Sequence, residues 1–571
     1  MRDSQEHVPV LIAGGGTVGL SAALFLARHG ISALVVERRA ALSIHPRALG
    51  VGVRTVEIFR ELGLDEAVRA AGGRLTPGLG RITVKTLASA DWTTLSSGAA
   101  LGIDPGASLS PVQGGRCSQD LLDEILLRAA RERGAEVRFG AEVIAVEQDA
   151  TGVTATLAER DGNPRSTLRA DYLIVADGSG GLLREALGVP ATGPGPLGGP
   201  IVNILFRADL RSVTQGNDLL LVIIENAELQ PGLLMAIDGR DRWVLHVPYD
   251  PARGETAEDF TPERCRDLVA RAALGVPDLP VEILSVLPWR VTARLADRFR
   301  EGRAFLAGDA AHVVPPLGGF GLNTGIADAH NLAWKLAMTI RGEAGPSLLD
   351  SYDAERRPVA RFTMEQSLLR LDRPDLHWDP SRTAEREQLG IANDAVVHLG
   401  YRYDSSAICG GQPAPSLHDL AGNLDGTPGS RVPHAWLDCA GRRLSTLDLA
   451  GPGFALLAGP AAQDWCTAAH ATATRLGLDL KAFRIAPDGD ASDTEGRWTG
   501  TAGVGDRGAL LVRPDGFVAW RTQELAVGGE AMLEGVLRAF ARSGSVLKQL
   551  ADEALAEHLR GETEDLDPDL L

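Results

Sequence analysis

The chain has 571 residues, which is too long for one compact core and sets an expectation of two to four domains. Its 75 Asp and Glu against 57 Lys and Arg leave a formal net charge of −18, and an acidic chain of this kind is a poor binder of polyanions, so nucleic acid is not an expected partner. Hydrophobic residues make up 44% of the chain, yet none of their runs reaches the roughly 18–20 uncharged residues of a membrane span.

The N-terminal "MRDSQEHVPVLIAGGG" enters a core strand within about ten residues. That leaves no room for a signal peptide, and a cytoplasmic location is expected. Cys117, Cys265, Cys409, Cys439 and Cys466 are scattered and never form C-x-x-C, so neither a disulfide framework nor a metal site is expected. Lysine occurs only at Lys85, Lys335, Lys481 and Lys548, and the abundance of arginine reads as a compositional bias.

From the start, strand-like runs alternate with helical periodicity: "PVLIAG", a helix over roughly 17–29, "ALVVER" and a helix near 53–62. This is the pattern of a doubly wound α/β sheet. "EVRFGAEVIAVEQDATGVTATLAERDG" reads as strands and hairpins and "ADYLIVADG" as a buried strand. "PATGPGPLGGPI" at 190–201 reads as a Gly/Pro loop, followed by a run of strands from "IVNILFRADL" to "RWVLHVPYD". "GRAFLAGD" returns to α/β character and leads into a long helix whose Ile326, Ala329, Ala333, Leu336 and Ile340 recur at helical spacing. In the C-terminal part, "GFALLAG", "KAFRIAP" and "GALLVRPDGFVAWR" are expected strands, with helices near 463–476 and 529–543.

The expected organisation is therefore a Rossmann-type domain over 1–190, a mostly β substrate domain over 191–290, a return to the first domain over 291–400, and a C-terminal α/β domain with its linker over 401–571.

Gly14, Gly16 and Gly19 form G-x-G-x-x-G between a buried strand and a helix, with Thr17 and Val18 inside the turn. Glycines there let backbone N–H groups and the helix N-terminus approach a pyrophosphate. Glu37 ends the second strand about twenty residues on, followed by Arg38, where a carboxylate accepts ribose hydroxyls and repels a 2′-phosphate. This turn alone leaves NAD and FAD both open.

"GRAFLAGDAAHVVPPLGGFGLNTGIADAHNLAWKLA" decides between them. Asp309 follows a buried strand, where its carboxylate suits a ribityl chain. Pro315 and Pro316 stiffen a loop beneath a flat ring, and Gly318, Gly319 and Gly321 admit close backbone approach. Leu322 and Asn323 open a long helix whose positive end would stabilise a reduced flavin.

With these motifs and with "HPRALGVGVRTVEIFRELGL", "SQDLLDEILL", "YLIVADG" and "LLVRPDGFVAWR", the sequence resembles the FAD-dependent aromatic hydroxylases of the para-hydroxybenzoate hydroxylase type, and among them the hydroxylases of aromatic polyketide (antibiotic) biosynthesis. The resemblance covers nearly the whole chain. It implies FAD as cofactor, NADPH or NADH as transient reductant, and O2 as co-substrate, with oxygen passing from a flavin C4a-hydroperoxide to a polycyclic phenol.

It places Gly14, Gly16 and Gly19 at the pyrophosphate, Glu37 at the ribose, Arg47 and Gln119 beside the cofactor, and Asp177 and Asp309 on its phosphate and ribityl side. Pro316, Gly319, Gly321, Leu322 and Asn323 would lie against the ring, and Arg47 would also face the substrate. The C-terminal part resembles the thioredoxin-like domain of these hydroxylases. Cys466 lacks a partner three residues on, so this domain is expected to be structural.

Substrate contacts are expected from His246 and Trp289 in the second sheet. The chain is expected to act on a small aromatic molecule as a monomer or homodimer. Ring-inserting or oxidase chemistry on the same scaffold, or a flavoprotein that shelters a polyketide without turnover, are the alternatives. One departure stands out: "ADGSGGLLREALG" keeps Asp177 and Arg184 but has Gly181 where the family usually has serine, so restoring serine is expected to speed flavin reduction.

Overall fold

The computed structural model describes residues 6–72, 80–97, 106–159, 166–379, 381–524 and 529–542. Five parallel strands run through its first, eight-stranded sheet, in the spatial order Ala304–Leu306, Ser166–Val175, Glu6–Ala13, Ala33–Glu37 and Glu136–Phe139. Ala33–Glu37 is buried at every position, the pattern of a parallel strand covered on both faces. Helix Thr17–Arg28 packs between the sheet, helix Gln119–Glu132 and the long helix Phe320–Ile340.

The second sheet places Glu282–Ala296, Ala191–Arg207, Arg242–Pro248, Gly232–Ala236, Leu219–Ile224 and Gly80–Val84 side by side. Its composition corrects two expectations. The Gly/Pro run at 190–201 is strand rather than loop: Ala191–Arg207 pairs along its length with Glu282–Ala296. Register shifts at Thr192/Gly195 and Leu197/Ile201, with positive φ at Gly193, Gly195 and Gly198, absorb the prolines as irregularities within the strand. In addition, Gly80–Val84, from the expected first domain, joins this sheet beside Leu219–Ile224, and pairing continues past residue 290 to Ala296.

One face of this sheet buries Val202, Ile204, Phe206, Leu234, Trp243 and Leu245 with Val269, Ala273 and Leu274 from the segment 262–274. By alternation, Asn203, Leu205, Leu233, Met235, Val244 and His246 lie on the other.

The C-terminal domain has a four-stranded sheet in the order Leu480–Arg484, Phe454–Ala458, Ala509–Val512, Val518–Thr522. A parallel crossover through helix Gln463–Leu476 precedes an antiparallel hairpin, and helix Gly529–Arg542 packs beside the crossover helix, which is a thioredoxin-like arrangement. Its hairpin turn reaches into the first domain. Arg513 donates to both oxygens of Glu355 at 2.6 and 2.9 Å and pairs with Asp515. Lys335 donates to Glu355 at 2.7 Å and to Asn331 at 2.8 Å, and Ser405 donates to Glu355 at 2.6 Å. All four charged members are buried. Burial pushes Lys335 down to about 8, whereas Glu355 is held below the usual carboxyl range by Arg513 and Lys335 in spite of its burial.

Among the described residues, no helix is long and apolar enough to cross a membrane.

Candidate flavin and substrate site

At the first turn, Gly14 has φ +109, and a Cβ there would fall 2.1 Å from the Ala176 carbonyl oxygen. A Cβ on Gly19 would fall 1.9 Å from the Gly14 carbonyl oxygen, so the helix begins directly on the turn. Gly16 occupies the N-cap with no capping side chain and nothing within 4 Å of where its Cβ would be. The first helical N–H groups are thereby left to a ligand.

Glu37 is buried and accepts from Gly15 N at 2.7 Å and Arg39 N at 2.9 Å. Each oxygen keeps acceptor capacity for a ribose hydroxyl. Gly15 escaped the sequence reading: a Cβ there would fall 2.8 Å from the Glu37 Cβ, so this spacer glycine sets the carboxylate against the turn. Arg38 is exposed and pairs with Glu142 at 3.6 Å.

Thr17 and Gln119 do come together. Gln119 Nε2 donates to Thr17 Oγ1 at 3.1 Å, and Thr17 in turn donates to Asp123. Burial pushes Asp123 up to about 7 against that hydrogen bond. The link was not visible in the sequence because Thr17 and Asp123 are 106 residues apart.

Val18 contributes packing. Cβ atoms on Gly308 and Gly325 would each fall 2.7 Å from its Cγ2, so the Asp309 turn, the first helix and the long helix meet around one side chain. Asp309 follows at this junction with no hydrogen bond to a described residue. Burial raises its proton affinity, opposed by His312, Arg47 and Arg294. Arg47 is exposed and Arg294 donates to the Ser179 carbonyl at 2.8 Å.

Asp177 is held at one oxygen by Leu183 N at 3.3 Å, while its Oδ1 is buried without a partner among the described residues. A Cβ on Gly181 would fall 2.0 Å from the Asp177 Cγ. A serine there would therefore require the Asp177 carboxylate to move aside.

The start of the long helix is shaped by Gly318 (φ +96) and the N-cap Gly319 (φ +64), with Pro316 accepting from Gly319 N at 3.0 Å. Pro316 and Gly319 are exposed, Gly321 and Leu322 half-buried. The Asn323 side chain is committed inside the protein. It accepts from Gly52 N and Thr55 Oγ1, both at 2.7 Å, and donates to the Gly319 carbonyl at 2.8 Å. Its backbone is what remains for a ring.

Segment 45–52 joins this helix start to the second sheet. Leu49 packs against Leu205 and Val244, and Arg242 donates to Asp120 at 2.7 Å. His246 and Trp289 meet on that sheet face with ring centroids 6.4 Å apart, and His246 Nδ1 stands 2.6 Å from Asn203 Oδ1. Burial and the neighbouring His45 push His246 down to about 4.

These residues fit FAD. A glycine cradle with no room for a Cβ at Gly14, Gly15 or Gly19 suits a pyrophosphate, Glu37 suits a ribose, Asp309, without a side-chain hydrogen bond among the described residues, suits a polyol, and an uncapped helix start suits a flavin carbonyl edge. Among the described residues no cluster has the makings of a metal site.

Residues 7–367 match the FAD binding domain family, and 425–542 the aromatic-ring hydroxylase C-terminal family. The chain is 40% identical over 557 residues to tetracenomycin A2 monooxygenase-dioxygenase of Streptomyces glaucescens, covering 94% of this chain and 97% of that protein. It is 41% identical over 552 residues to 4-methyl-5-nitrocatechol 5-monooxygenase of a Burkholderia species, covering 93% and 97%. The crystal structure of aklavinone-11 hydroxylase with FAD and aklavinone superposes with a TM-score of 0.81 at 37% identity, covering 95% of this chain and all of that one. FAD is the cofactor, and NAD(P)H and O2 are the co-substrates of this class. The chain belongs to the FAD-dependent aromatic-ring hydroxylases, and it is an FAD-dependent aromatic monooxygenase.

Proposed function

We propose that this hydroxylase adds one oxygen atom to a polycyclic aromatic phenol of the polyketide type. The observation that carries the reading is segment 45–52, tied on one side to the long helix through Asn323 and packed on the other against the apolar sheet face around Leu205 and Val244. That arrangement sets a broad apolar wall opposite the helix start. A flat ring system is held there by area, at about 25 cal/mol per Å² removed from water, and the wall excludes the water that competes with oxygen transfer. The resemblance to the tetracenomycin and aklavinone enzymes supports several fused rings, whereas the nitrocatechol relative is named for a single ring.

When bound, FAD supplies the redox chemistry, taking a hydride from NAD(P)H and activating O2. Asp309, Glu37 and the turn at Gly14–Gly19 hold it, and the Arg47 charge favours the ionised Asp309 carboxylate.

The test is single-turnover reaction of the FAD-loaded protein with panels of fused-ring and single-ring phenols, with NADPH consumption and product mass as readouts. Fused-ring phenols should stimulate NADPH oxidation and gain one oxygen with their rings intact. Turnover restricted to single-ring catechols would overturn the substrate class, and an opened or expanded ring would overturn the reaction.

A further inference from the structure

Two histidines on the substrate side have hydrogen-bonding capacity that the protein leaves unused. His45 lies in the segment ahead of Arg47 and is 4% exposed, and neither ring nitrogen has a hydrogen-bond partner among the described residues. His246 projects from strand Arg242–Pro248 on the sheet face that this segment packs against. Its Nδ1 stands 2.6 Å from the amide oxygen of Asn203, on the adjacent strand. An amide oxygen only accepts, so Nδ1 carries the proton of the neutral ring and Nε2 is left with a bare lone pair.

The remaining groups around the pair are accounted for. Arg47 and Asp120 act on His45, Arg242 is bonded to Asp120, and Trp289 covers one side of His246. Burial, with Arg47 beside it, pushes His45 down to about 4, and His246 is depressed to a similar value, so both rings are neutral at pH 7. Two neutral imidazoles make a poor site for a carboxylate and a good one for a hydroxyl.

We propose that His246 and His45 together grip one phenolic hydroxyl of the substrate. The hydroxyl donates to His246 Nε2 and accepts from the N–H of His45, with Asn203 positioning His246 by fixing its tautomer. This rests on the substrate reading above and deepens it, because it makes the free O–H, and not the aromatic area alone, the feature that is recognised. An unpaired buried donor or acceptor costs about 1–3 kcal/mol. A ligand that cannot donate leaves Nε2 in that condition.

The experiment is equilibrium dialysis of the FAD-loaded protein against 2-hydroxyanthraquinone and 2-methoxyanthraquinone, which share a ring system and differ in the donor. The unaltered protein should bind the phenol about tenfold tighter than the ether, the lower part of the range that the cost of an unpaired group implies. His246→Leu should bring the two within about twofold of each other, and His246→Gln, which keeps an amide acceptor, should restore part of the preference. Should His246→Leu fail to retain FAD, His45→Phe, in the segment outside the sheet, is read in its place.

A preference that survives intact in a flavin-loaded His246→Leu or His45→Phe overturns the assignment, as does an unaltered protein that binds both compounds equally. If the unaltered protein takes up neither compound, the fused-ring reading falls and the proposal falls with it. Binding retained without preference removes the histidine assignment alone.

Discussion

Two buried polar groups of this protein differ in how completely they are satisfied. At the C-terminal hairpin, Glu355 accepts from Arg513, Lys335, Asn331 and Ser405, and Arg513 also pairs with Asp515. On the substrate side, His45 has no partner at either ring nitrogen among the described residues, and His246 has one there at Nδ1 alone. A saturated cluster holds a structure together, since each member already spends its capacity on the others. An unsaturated group buried as His45 is costs free energy unless something else completes it.

The largest expected effect comes from breaking the saturated cluster. Arg513→Met leaves Glu355 and Asp515 buried without their shared partner, and loss of one member of a buried pair costs about 3–5 kcal/mol. Thermal unfolding of the FAD-loaded protein should move down by several degrees or more. An unchanged melting temperature would show that the cluster does not hold the C-terminal domain to the first.

Asp123 lies between the two cases, with one hydroxyl donor at a buried carboxyl. Its folded pKa of about 7 exceeds the unfolded value of 3.8, so the folded chain binds the extra proton. Stability from this group is therefore full below about pH 4, falls as pH rises, and is lost above about pH 7. At about 1.4 kcal/mol per pH unit the effect reaches a few kcal/mol at most. Asp123→Asn, neutral throughout and still able to accept from Thr17, should raise the melting temperature much more at pH 8 than at pH 5. Equal melting shifts at both pH values would place the carboxylate in its ionised form.

A smaller effect is expected at Asp177, whose Oδ1 is unpartnered. Gly181→Ser must displace that carboxylate from Leu183 N, which should weaken FAD binding by about 1 kcal/mol, a few-fold in Kd. Stopped-flow reduction by NADPH should not become faster. A faster reduction would show that the carboxylate works from another position.

The smallest effect belongs to Cys466, a free thiol buried on helix Gln463–Leu476. Cys466→Ser should leave turnover within about twofold. A collapse of turnover with folding intact would reveal a redox role.

The flavin-binding elements were legible because their signals are local. Gly14–Gly19, Glu37 and the Asp309–Asn323 stretch each carry their chemistry within a few residues of a strand or helix end. Gly15, Asp123 and the pairing of His246 with Asn203 were not legible, since their meaning lies in contacts across adjacent strands or more than twenty residues apart. The arginine excess misled for the same reason. Read as compositional bias, it includes Arg356, Arg370, Arg431 and Arg513, which are among the largest fully buried side chains. Apart from Asp515 beside Arg513, their carboxylate partners stand more than twenty residues away in the chain. The Gly/Pro strand was missed because loop-forming residues also serve as bulges in a long, irregular strand.

Arg54 donates to Glu57 and to the Asp515 carbonyl, and the adjacent Thr55 donates to Asn323 at the start of the long helix. Arg431 in turn donates to Glu57 at 3.2 Å. For anyone building chimaeras among these enzymes, the C-terminal domain is consequently not a cassette that can be exchanged at a cut near residue 425. Residues 54, 57, 331, 335 and 355 are its socket and have to travel with it, or a graft chosen for solubility will arrive at the flavin helix as a misfit.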